Sequence, residues 1–416
     1  MFARREQLLL DYSLCTKYEI AYAGPVSTTD RSPLPAGRVA AAGCAALAAA
    51  MGIGRFAFTP LLPLMQQSSG LSLEQTAWLA SSNYAGYLVG AFALAVRPTR
   101  PGACVKSGLV VVASATVAMA LSDALGVWLA LRFLAGIASA LVLVGVSAWA
   151  LPALARSAAP SHAGLVFAGV GVGMAIAGMV ALAVAALHAH VDVAWLALGA
   201  LASLACLVAW RIDETAASAR DRTADDAPLR RRDAWLLVLC YGAFGFGYII
   251  PATFVPALAR AALRDATSFG WAWPLFGVAA TLSTVAAARL RHVPAVRQWS
   301  VSQVVMAAGV AAPALSTSAA ATFFSALCVG GTFMVVTMAG MRHAREAAGR
   351  AAPRIVASMT AAFAVGQWVG PLTLPAAATG HEAIVLPSLV AASVLAASAL
   401  ALALRYRRLP TSTWTR

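Results

Sequence analysis

The sequence predicts an all-α integral membrane protein with twelve transmembrane helices in two pseudo-symmetric halves of six. Three observations predict this fold: the length and number of the apolar segments, the placement of the basic residues, and a repeat between the two halves. Hydrophobic residues make up 61% of the 416 residues and charged residues only 11%. A soluble domain carries roughly 25% charged residues, so the solvent predicted for most of this chain is lipid.

The apolar segments have the length that a membrane requires. About 20 residues of helix, at roughly 1.5 Å per residue, cross the ~30 Å of hydrocarbon in a bilayer. Just before the second segment, Ser72 and Gln75 have the spacing of a capping box, which predicts a helix start there. The predicted spans lie near 39–65, 75–96, 104–122, 125–151, 163–187, 192–211, 234–258, 269–288, 299–315, 319–340, 355–376 and 383–404.

The basic residues lie almost entirely on one side of these spans. If the N-terminus is cytoplasmic, 26 of the 30 Lys and Arg residues fall in cytoplasmic segments. Arg260 and Arg264 fall on the other side, and Arg55 and Arg132 lie inside spans. This positive-inside asymmetry predicts a multi-pass protein of the bacterial cytoplasmic (inner) membrane with both termini in the cytoplasm. The net charge of +14 is therefore assigned to topology and not to nucleic-acid binding.

Polar segments divide the chain into halves. The longest interior polar stretch separates six spans from six, which is typical of a cytoplasmic linker. The predicted organisation is a disordered cytoplasmic tail at 1–36, an N-terminal half at 37–211, the linker at 212–233, a C-terminal half at 234–405 and a cytoplasmic tail at 406–416.

A sequence repeat relates the two halves. GIGRFAFTPLLP (52–63) in span 1 and GFGYIIPATFVP (245–256) in span 7 share their glycine and proline spacing. The alignment places Tyr248 opposite Arg55. A parallel six-plus-six repeat puts spans 1, 4, 7 and 10 around a central cavity in transporters. The alternative is that two such strings agree by chance.

Arg55 in span 1 and Arg132 in span 4 are the ionisable residues predicted deep within the membrane. Burying one charge there costs at least ~2.5–3.5 kcal/mol, so such a residue faces an aqueous cavity or bonds to backbone carbonyls. Each lies about 10–15 Å from the outer end of its span, so both reach one region. All 16 Asp and Glu residues map to tails, loops or helix ends. Two cations without a carboxylate partner favour an anionic ligand; the alternative is that they tie spans 1 and 4 together.

Other polar or aromatic side chains are candidates to line the same cavity among apolar walls. Tyr248 is favoured because it mirrors Arg55, and each of the others is alternatively a packing residue. The candidates are Asn83, Tyr84, Tyr87, Tyr241, Tyr248, Gln303, Thr332, Thr337, Gln367 and Trp368. Helix kinks at prolines and close approach at glycines give the gating or packing candidates, which are Pro60, Pro63, Gly136, Pro251, Pro256, Gly366, Gly370 and Pro371.

Several long strings resemble the YbfB/YjiJ family of the major facilitator superfamily (MFS). They are GIGRFAFTPLLPLM, WLASSNYAGYLVGA, YGAFGFGYIIPATFVP, and GTFMVVTMAGMR with GQWVGP, and the resemblance runs from about residue 40 to 405. It implies twelve helices and a transport role. Arg132, Gly136 and Ala140 are similar to the superfamily pattern RxxxGxxxA, whose arginine is associated with proton coupling. The sequence departs from the superfamily at Leu94, where an acidic residue is usual, and at Ala177, where the antiporter motif has glycine before proline.

The predicted function is that of an MFS secondary active transporter, which moves a small solute by alternating access of its two halves. An organic anion, proton coupling and efflux are favoured, with Arg55 in substrate contact and Arg132 as a proton-coupling residue or electrostatic lock. The alternatives are an uncoupled facilitator or channel and a non-transporting membrane sensor. No enzyme is predicted, because no carboxylate pair, His cluster or activated nucleophile lies at helix depth. The predicted partners are the substrate, protons and membrane lipids, with no cofactor, metal or nucleic acid, and the predicted assembly is a monomer.

Overall fold

Each predicted span corresponds to a helix in the structure, a computed structural model that describes residues 35–97, 99–210, 229–262, 270–290, 292–370 and 382–406. The first span, α1, consists of α1a (Ala36–Leu47), a π-helical turn (Ala48–Ile53) and α1b (Phe58–Ser69). The other helices are α2 (Leu73–Val96), α3 (Pro101–Ala118), α4 (Leu125–Arg156), α5 (Ala163–Ala186), α6 (Val191–Ala209), α7 (Arg231–Ala262), α8 (Ala272–Arg289), α9 (Ala295–Leu315), α10 (Ala319–Ala348), α11 (Ala352–Val369) and α12 (Glu382–Tyr406).

The helices begin and end close to the predicted boundaries. At the start of α2 the predicted capping box is present: Gln75 N donates to Ser72 Oγ at 3.1 Å, and Ser72 N donates to Gln75 Oε1 at 2.9 Å. α7 begins at Arg231, so the last three residues of the predicted linker are helical. A helix can continue past the edge of the hydrocarbon into charged residues, so the bounds of the cytoplasmic linker stay a prediction.

Nine of the described helices are long and apolar enough to cross a membrane. α8, α9 and α11 carry more polar residues; α9, for example, contains Arg297, Gln298 and Gln303. These three helices pack against their neighbours in the second half and bring the number of helices to six in each half. The all-helical fold class predicted from the sequence is therefore confirmed for the described part of the chain.

The same set of helix pairs recurs in each half. In the first half α2 packs on α4, α3 packs on α4 and α6, and α1 packs on α5 and α6. In the second half α8 packs on α10, α9 packs on α10 and α12, and α7 packs on α11 and α12. Adding six to each helix number of the first list gives the second. The pseudo-symmetry that the sequence repeat predicted is thus a property of the packing.

Glycines at the repeat position bring helix backbones together in both halves. A Cβ placed on Gly52 of α1 would lie 2.5 Å from Gly173 Cα of α5. A Cβ on Gly245, its counterpart in α7, would collide with the backbone of Phe363 in α11. Only a residue without a side chain permits such approach, which explains why the repeat preserves these glycines.

The two halves meet along α5 with α8 and along α2 with α11. On α5, Gly164, Gly171 and Gly178 are spaced by seven residues, or two helical turns, and so share one face. That face lies directly against the α8 backbone or small side chains, as Gly171 does against Gly277. The α5–α8 part of the boundary therefore consists of close contacts at glycines. Polar and aromatic side chains meet at the α2–α11 part.

Candidate functional site

A break in α1 creates the centre of the candidate site. In the π-helical turn the N–H of Gly54 donates to Ala49 O at 2.8 Å, and the N–H of Phe56 donates to Met51 O at 3.2 Å, each reaching five residues back. Pro60 follows in α1b and has no N–H to donate. The hydrogen-bond ladder therefore changes register here, and the carbonyls of Gly54 and Arg55 accept hydrogen bonds from a side chain on another helix. Such π-helical turns are frequent at functional sites.

Arg132 of α4 supplies those hydrogen bonds. Its Nη1 donates to Gly54 O and its Nη2 donates to Arg55 O, both at 3.2 Å. The side chain is buried, and its guanidinium carbon lies 4.7 Å from the centre of the Phe58 ring. Asn83 of α2 holds the backbone of Arg132 in turn, since its Nδ2 donates to Arg132 O at 2.9 Å. The Arg132 side chain thus joins α4 to the backbone of α1 through two hydrogen bonds.

Arg55 lies at the boundary between the two halves. It is only 2% exposed, and its Nη2 donates a hydrogen bond to Gln367 Oε1 on α11. Its guanidinium carbon lies 3.7 Å from the centre of the Tyr87 ring and 5.6 Å from that of Tyr84. A desolvated cation–π contact of this kind contributes about 2 kcal/mol. The Nε and Nη1 atoms of Arg55 have no acceptor among the described residues.

Further buried polar atoms around Arg55 lack hydrogen bonds within the described part of the chain. They are the Tyr248 hydroxyl, Gln367 Nε2, Asn83 Oδ1 and Arg132 Nε. Buried polar groups are almost always hydrogen-bonded, and leaving one unsatisfied costs about 1–3 kcal/mol. Most of these atoms are donors, so the site is chemically suited to a ligand that presents acceptor oxygens and negative charge.

Aromatic rings from both halves surround this cation. Tyr248 of α7 stacks with Phe333 of α10, with ring centres 5.3 Å apart and planes 13° apart, and with Phe363 of α11 at 5.9 Å and 22°. Across the boundary the edge of Phe56 meets both Tyr248 and Phe333, at 6.4 and 6.0 Å, and Tyr87 meets Phe363 at 6.3 Å. We refer to Phe56, Tyr87, Tyr248, Phe333 and Phe363 as the aromatic cluster.

The structure therefore brings together Arg55, Arg132, Asn83, Tyr84, Tyr87, Tyr248 and Gln367, all of which were site candidates. Sequence reasoning missed Phe56, Phe333 and Phe363. Phe56 adjoins Arg55 in the chain, which is a usable signal. The other two phenylalanines give none, because apolar residues are equally common on lipid-facing surfaces.

Two candidates were placed wrongly. Trp368 is 47% exposed and faces outward from the bundle. Gln303 lies inside the second half, where its Nε2 donates to Cys240 O at 3.3 Å and its Oε1 accepts from Ser398 Oγ at 3.2 Å. In both cases the sequence did not show which way the side chain points. The lipid-facing and protein-facing sides of these helices are both apolar, so the sequence has no amphipathic periodicity that distinguishes them.

Three of the remaining candidates, Thr332, Thr337 and Tyr241, make their contacts within the second half. The Thr332 and Thr337 hydroxyls donate to carbonyls of their own helix, those of Cys328 at 2.5 Å and Phe333 at 3.0 Å. Tyr241 lies next to Thr337 and also touches Phe363. These groups border the aromatic cluster, but their hydrogen-bonding capacity is used within the second half.

The glycine candidates act in packing. Gly136 lies against the backbone of Asn83, and Gly366 lies against the backbone of Gly242, while Gly370 lies beside the side chain of Ile249. A gating role for them stays a prediction.

The proline candidates differ between the halves. Pro60 and Pro63 lie in α1b, directly after the break. α7 runs through Pro251 and Pro256 as one helix, and Pro371 falls outside the described residues. Their gating role also stays a prediction.

The sequence matches the family model described as "Uncharacterised MFS-type transporter YbfB" over residues 47–403, which is most of the chain. The chain belongs to this family of major facilitator superfamily transporters. Among curated proteins the comparison gives no match.

The structure of the YbfB-type chain is similar to the crystal structure of the human organic anion transporter MFSD10 (TETRAN). The TM-score is 0.65 at 15% sequence identity, covering 88% of this chain and 99% of that one. At this identity the likeness shows a shared fold. It confirms the MFS architecture that the resemblance of the sequence implied.

The YbfB-type fold also holds a cavity at its arginine-rich end, the end of the bundle at which α4, α8 and α10 terminate. Its volume is 790 Å³, and Arg297, Arg345 and His292 are among its lining residues. Arg342 lines it as well and donates from Nη2 to Val293 O at 3.0 Å. One turn deeper in α4 than the lining residue Leu151, Ser147 Oγ meets Met341 Sδ at 3.1 Å. This contact between α4 and α10 lies between the cavity and the bundle centre.

Proposed function

We propose that this protein is a secondary active transporter that carries a small organic anion across the membrane by alternating access. The observation that carries the proposal is the state of Arg55: a buried guanidinium at the boundary between halves, hydrogen-bonded to one amide and to no carboxylate among the described residues. A buried charge without a counter-charge is costly. An anionic substrate supplies the missing charge and accepts from the free Nε and Nη1.

The position of Arg55 supports the alternating-access mechanism. Its hydrogen bond to Gln367 joins α1 of the first half to α11 of the second. Rocking of one half against the other must break this bond, and an anion bound at Arg55 replaces the lost acceptor. Substrate binding then offsets the cost of separating the halves, which is how a ligand shifts a conformational equilibrium.

Two further features support an anion. The arginine-rich cavity between the halves is lined by Arg297, Arg342 and Arg345 against one carboxylate, that of Glu346, and an excess of charge of one sign raises the local concentration of the opposite ion. The structurally similar MFSD10 is named an organic anion transporter.

We place the protein in a bacterial cytoplasmic membrane with both termini and the arginine-rich end in the cytoplasm, because positive charge is retained on that side. In this orientation the cavity of about 790 Å³ lies at the cytoplasmic end of the bundle. That arrangement favours efflux, since a cytoplasmic anion reaches the transporter through this cavity. Reaction of single engineered cysteines at the helix ends with an impermeant thiol reagent, in intact cells, tests the orientation.

Proton coupling is part of the proposal, on the strength of the RxxxGxxxA pattern at Arg132. An uncoupled facilitator is the second candidate, and a specific observation favours it. The terminal nitrogens of Arg132 are both bonded to carbonyls, and the described Asp and Glu residues all lie at or near helix ends. Flux driven by an imposed pH gradient across proteoliposomes supports coupling; flux that follows only the substrate gradient supports the facilitator.

The experiment that tests the substrate class starts with purified protein in detergent. Thermal unfolding is measured against a panel of small organic anions, cations and neutral solutes, and hits are assayed for flux in proteoliposomes. The comparison includes Arg55→Ala and, as a matched control, Arg97→Ala, an exposed arginine at the end of α2. We expect protection by anions that the Arg55 variant loses and the control keeps. Protection by cations or neutral solutes alone contradicts the proposal.

A further inference from the structure

Three aromatic rings lie close to the Arg55 guanidinium. Tyr87 lies over the guanidinium at 3.7 Å, and Phe56 and Tyr84 follow at 5.6 Å. Tyr248 is in turn stacked on Phe333 and on Phe363. The wall beside the buried cation therefore contains aromatic rings from both halves.

The aromatic cluster is divided between the halves. Phe56 and Tyr87 come from α1 and α2, whereas Tyr248, Phe333 and Phe363 come from α7, α10 and α11. The contacts across the boundary are the edge contacts of Phe56 and the contact of Tyr87 with Phe363. When the halves separate during alternating access, these contacts are lost. The newly exposed surface next to Arg55 is then aromatic on both sides.

We infer that the transported anion has a flat aromatic body, which packs between the two parts of the aromatic cluster while its acidic group binds Arg55. This inference rests on the proposed function and names the substrate class of the same site. An aromatic body restores the ring contacts that separation removes, because its face and edge match those of Phe56 on one side and Phe333 on the other. A non-planar aliphatic body restores buried area but not the ring geometry.

The unsatisfied polar atoms set the orientation of such a ligand. The acidic group accepts from Nε and Nη1 of Arg55, which have no acceptor among the described residues. The Tyr248 hydroxyl is buried and also has no hydrogen bond among the described residues, so it is available to the acidic group or to a polar substituent on the ring. The polar atoms thus hold the acidic group at Arg55, and the rings pack against the rest of the ligand.

Equilibrium binding to the purified full-length protein tests the inference without relying on a variant. Calorimetric titration compares benzoate with cyclohexanecarboxylate, which has the same charge and ring size but is not flat, and with benzyl alcohol, which keeps the aromatic ring and lacks the charge. We expect benzoate to bind about 2- to 10-fold more tightly than cyclohexanecarboxylate, the ratio that one favourable ring–ring contact gives. Benzyl alcohol should not bind measurably.

Two matched variants locate the effect. Phe333→Leu should reduce the ratio between benzoate and cyclohexanecarboxylate toward one, and Phe324→Leu should leave it unchanged. Phe324 lies on the same helix but is 48% exposed, so it controls for loss of a phenylalanine as such. If both acids bind the wild type equally, in an Arg55-dependent manner, the aromatic inference is overturned and the proposed function stands. If neither acid binds, the inference and the anion proposal both fail.

Discussion

The crossing of α1 and α5 gives the sharpest structural prediction, for Gly52→Ala. The new Cβ would lie 2.5 Å from Gly173 Cα and 2.8 Å from both Gly173 C and Val170 O. Carbon atoms in contact prefer about 3.5–4.0 Å, so α1 and α5 must separate by roughly 1 Å. The opposing atoms belong to the backbone, so no rotamer change relieves the clash. Overpacking of this kind costs about 1–3 kcal/mol.

Gly331→Ala is the matched control for this substitution. Gly331 also lies inside a transmembrane helix, α10, but apart from the backbone of its own helix no atom of the described residues lies within 4 Å of its added Cβ. There the methyl group only improves helix propensity, by up to about 1 kcal/mol. Thermal unfolding in detergent, followed by tryptophan fluorescence, should therefore give a lower Tm for Gly52→Ala than for wild type and an equal or higher Tm for Gly331→Ala. Equal Tm values for the two variants would refute the assigned helix contact.

Three further predictions concern side-chain bonds. Gln367→Ala removes the acceptor of Arg55 and should lower the Tm, because a hydrogen bond to a charged group contributes about 1.5–3 kcal/mol. Trp368→Ala, next in sequence but outward-facing, should not lower it. Equal effects would contradict the assigned helix faces. Arg132→Met leaves two buried carbonyls in the α1 break unsatisfied and should reduce proteoliposome flux at least about tenfold. Arg132→Lys should have an intermediate effect. Wild-type flux in the Met variant would show that transport does not need the hydrogen bonds from Arg132 to α1. Asp233→Asn removes the charge from the bidentate pair that the partly buried Asp233 makes with Arg405 at 2.8 and 3.0 Å. Solvent around Arg405 screens the pair, so the Tm should fall only slightly and flux should not change. A large loss of Tm would show that this pair holds α7 to α12.

The sequence was sufficient for much of the fold because the membrane imposes simple rules. A helix must be long enough to span the hydrocarbon, and an uncompensated charge inside it is rare enough to stand out. Those two rules place the spans and single out Arg55 and Arg132, which meet at the α1 break. The repeat adds Tyr248, whose ring lies against Phe56 beside Arg55.

Other features depend on interactions that a single helix does not encode. The π-helical turn of α1 exposes carbonyls that Arg132 of α4 then satisfies, so its stability comes from a different helix. The faces of Gln367 and Trp368 could not be told apart, because lipid and protein interior are both apolar and leave little amphipathic pattern. For the same reason Phe333 and Phe363 carried no signal, although they form part of the wall beside Arg55.

Transport by an Arg55 variant tests the central claim, that this buried guanidinium binds the transported anion. Proteoliposome uptake of radiolabelled benzenesulfonate, which stays charged and so does not leak through lipid, is compared for wild type, Arg55→Gln and the control Arg97→Gln. Thermal unfolding of each variant verifies its fold. Loss of charge-assisted bonds worth about 1.5–3 kcal/mol predicts at least a tenfold lower rate for Arg55→Gln alone. A folded Arg55→Gln protein that transports as fast as Arg97→Gln would contradict the account.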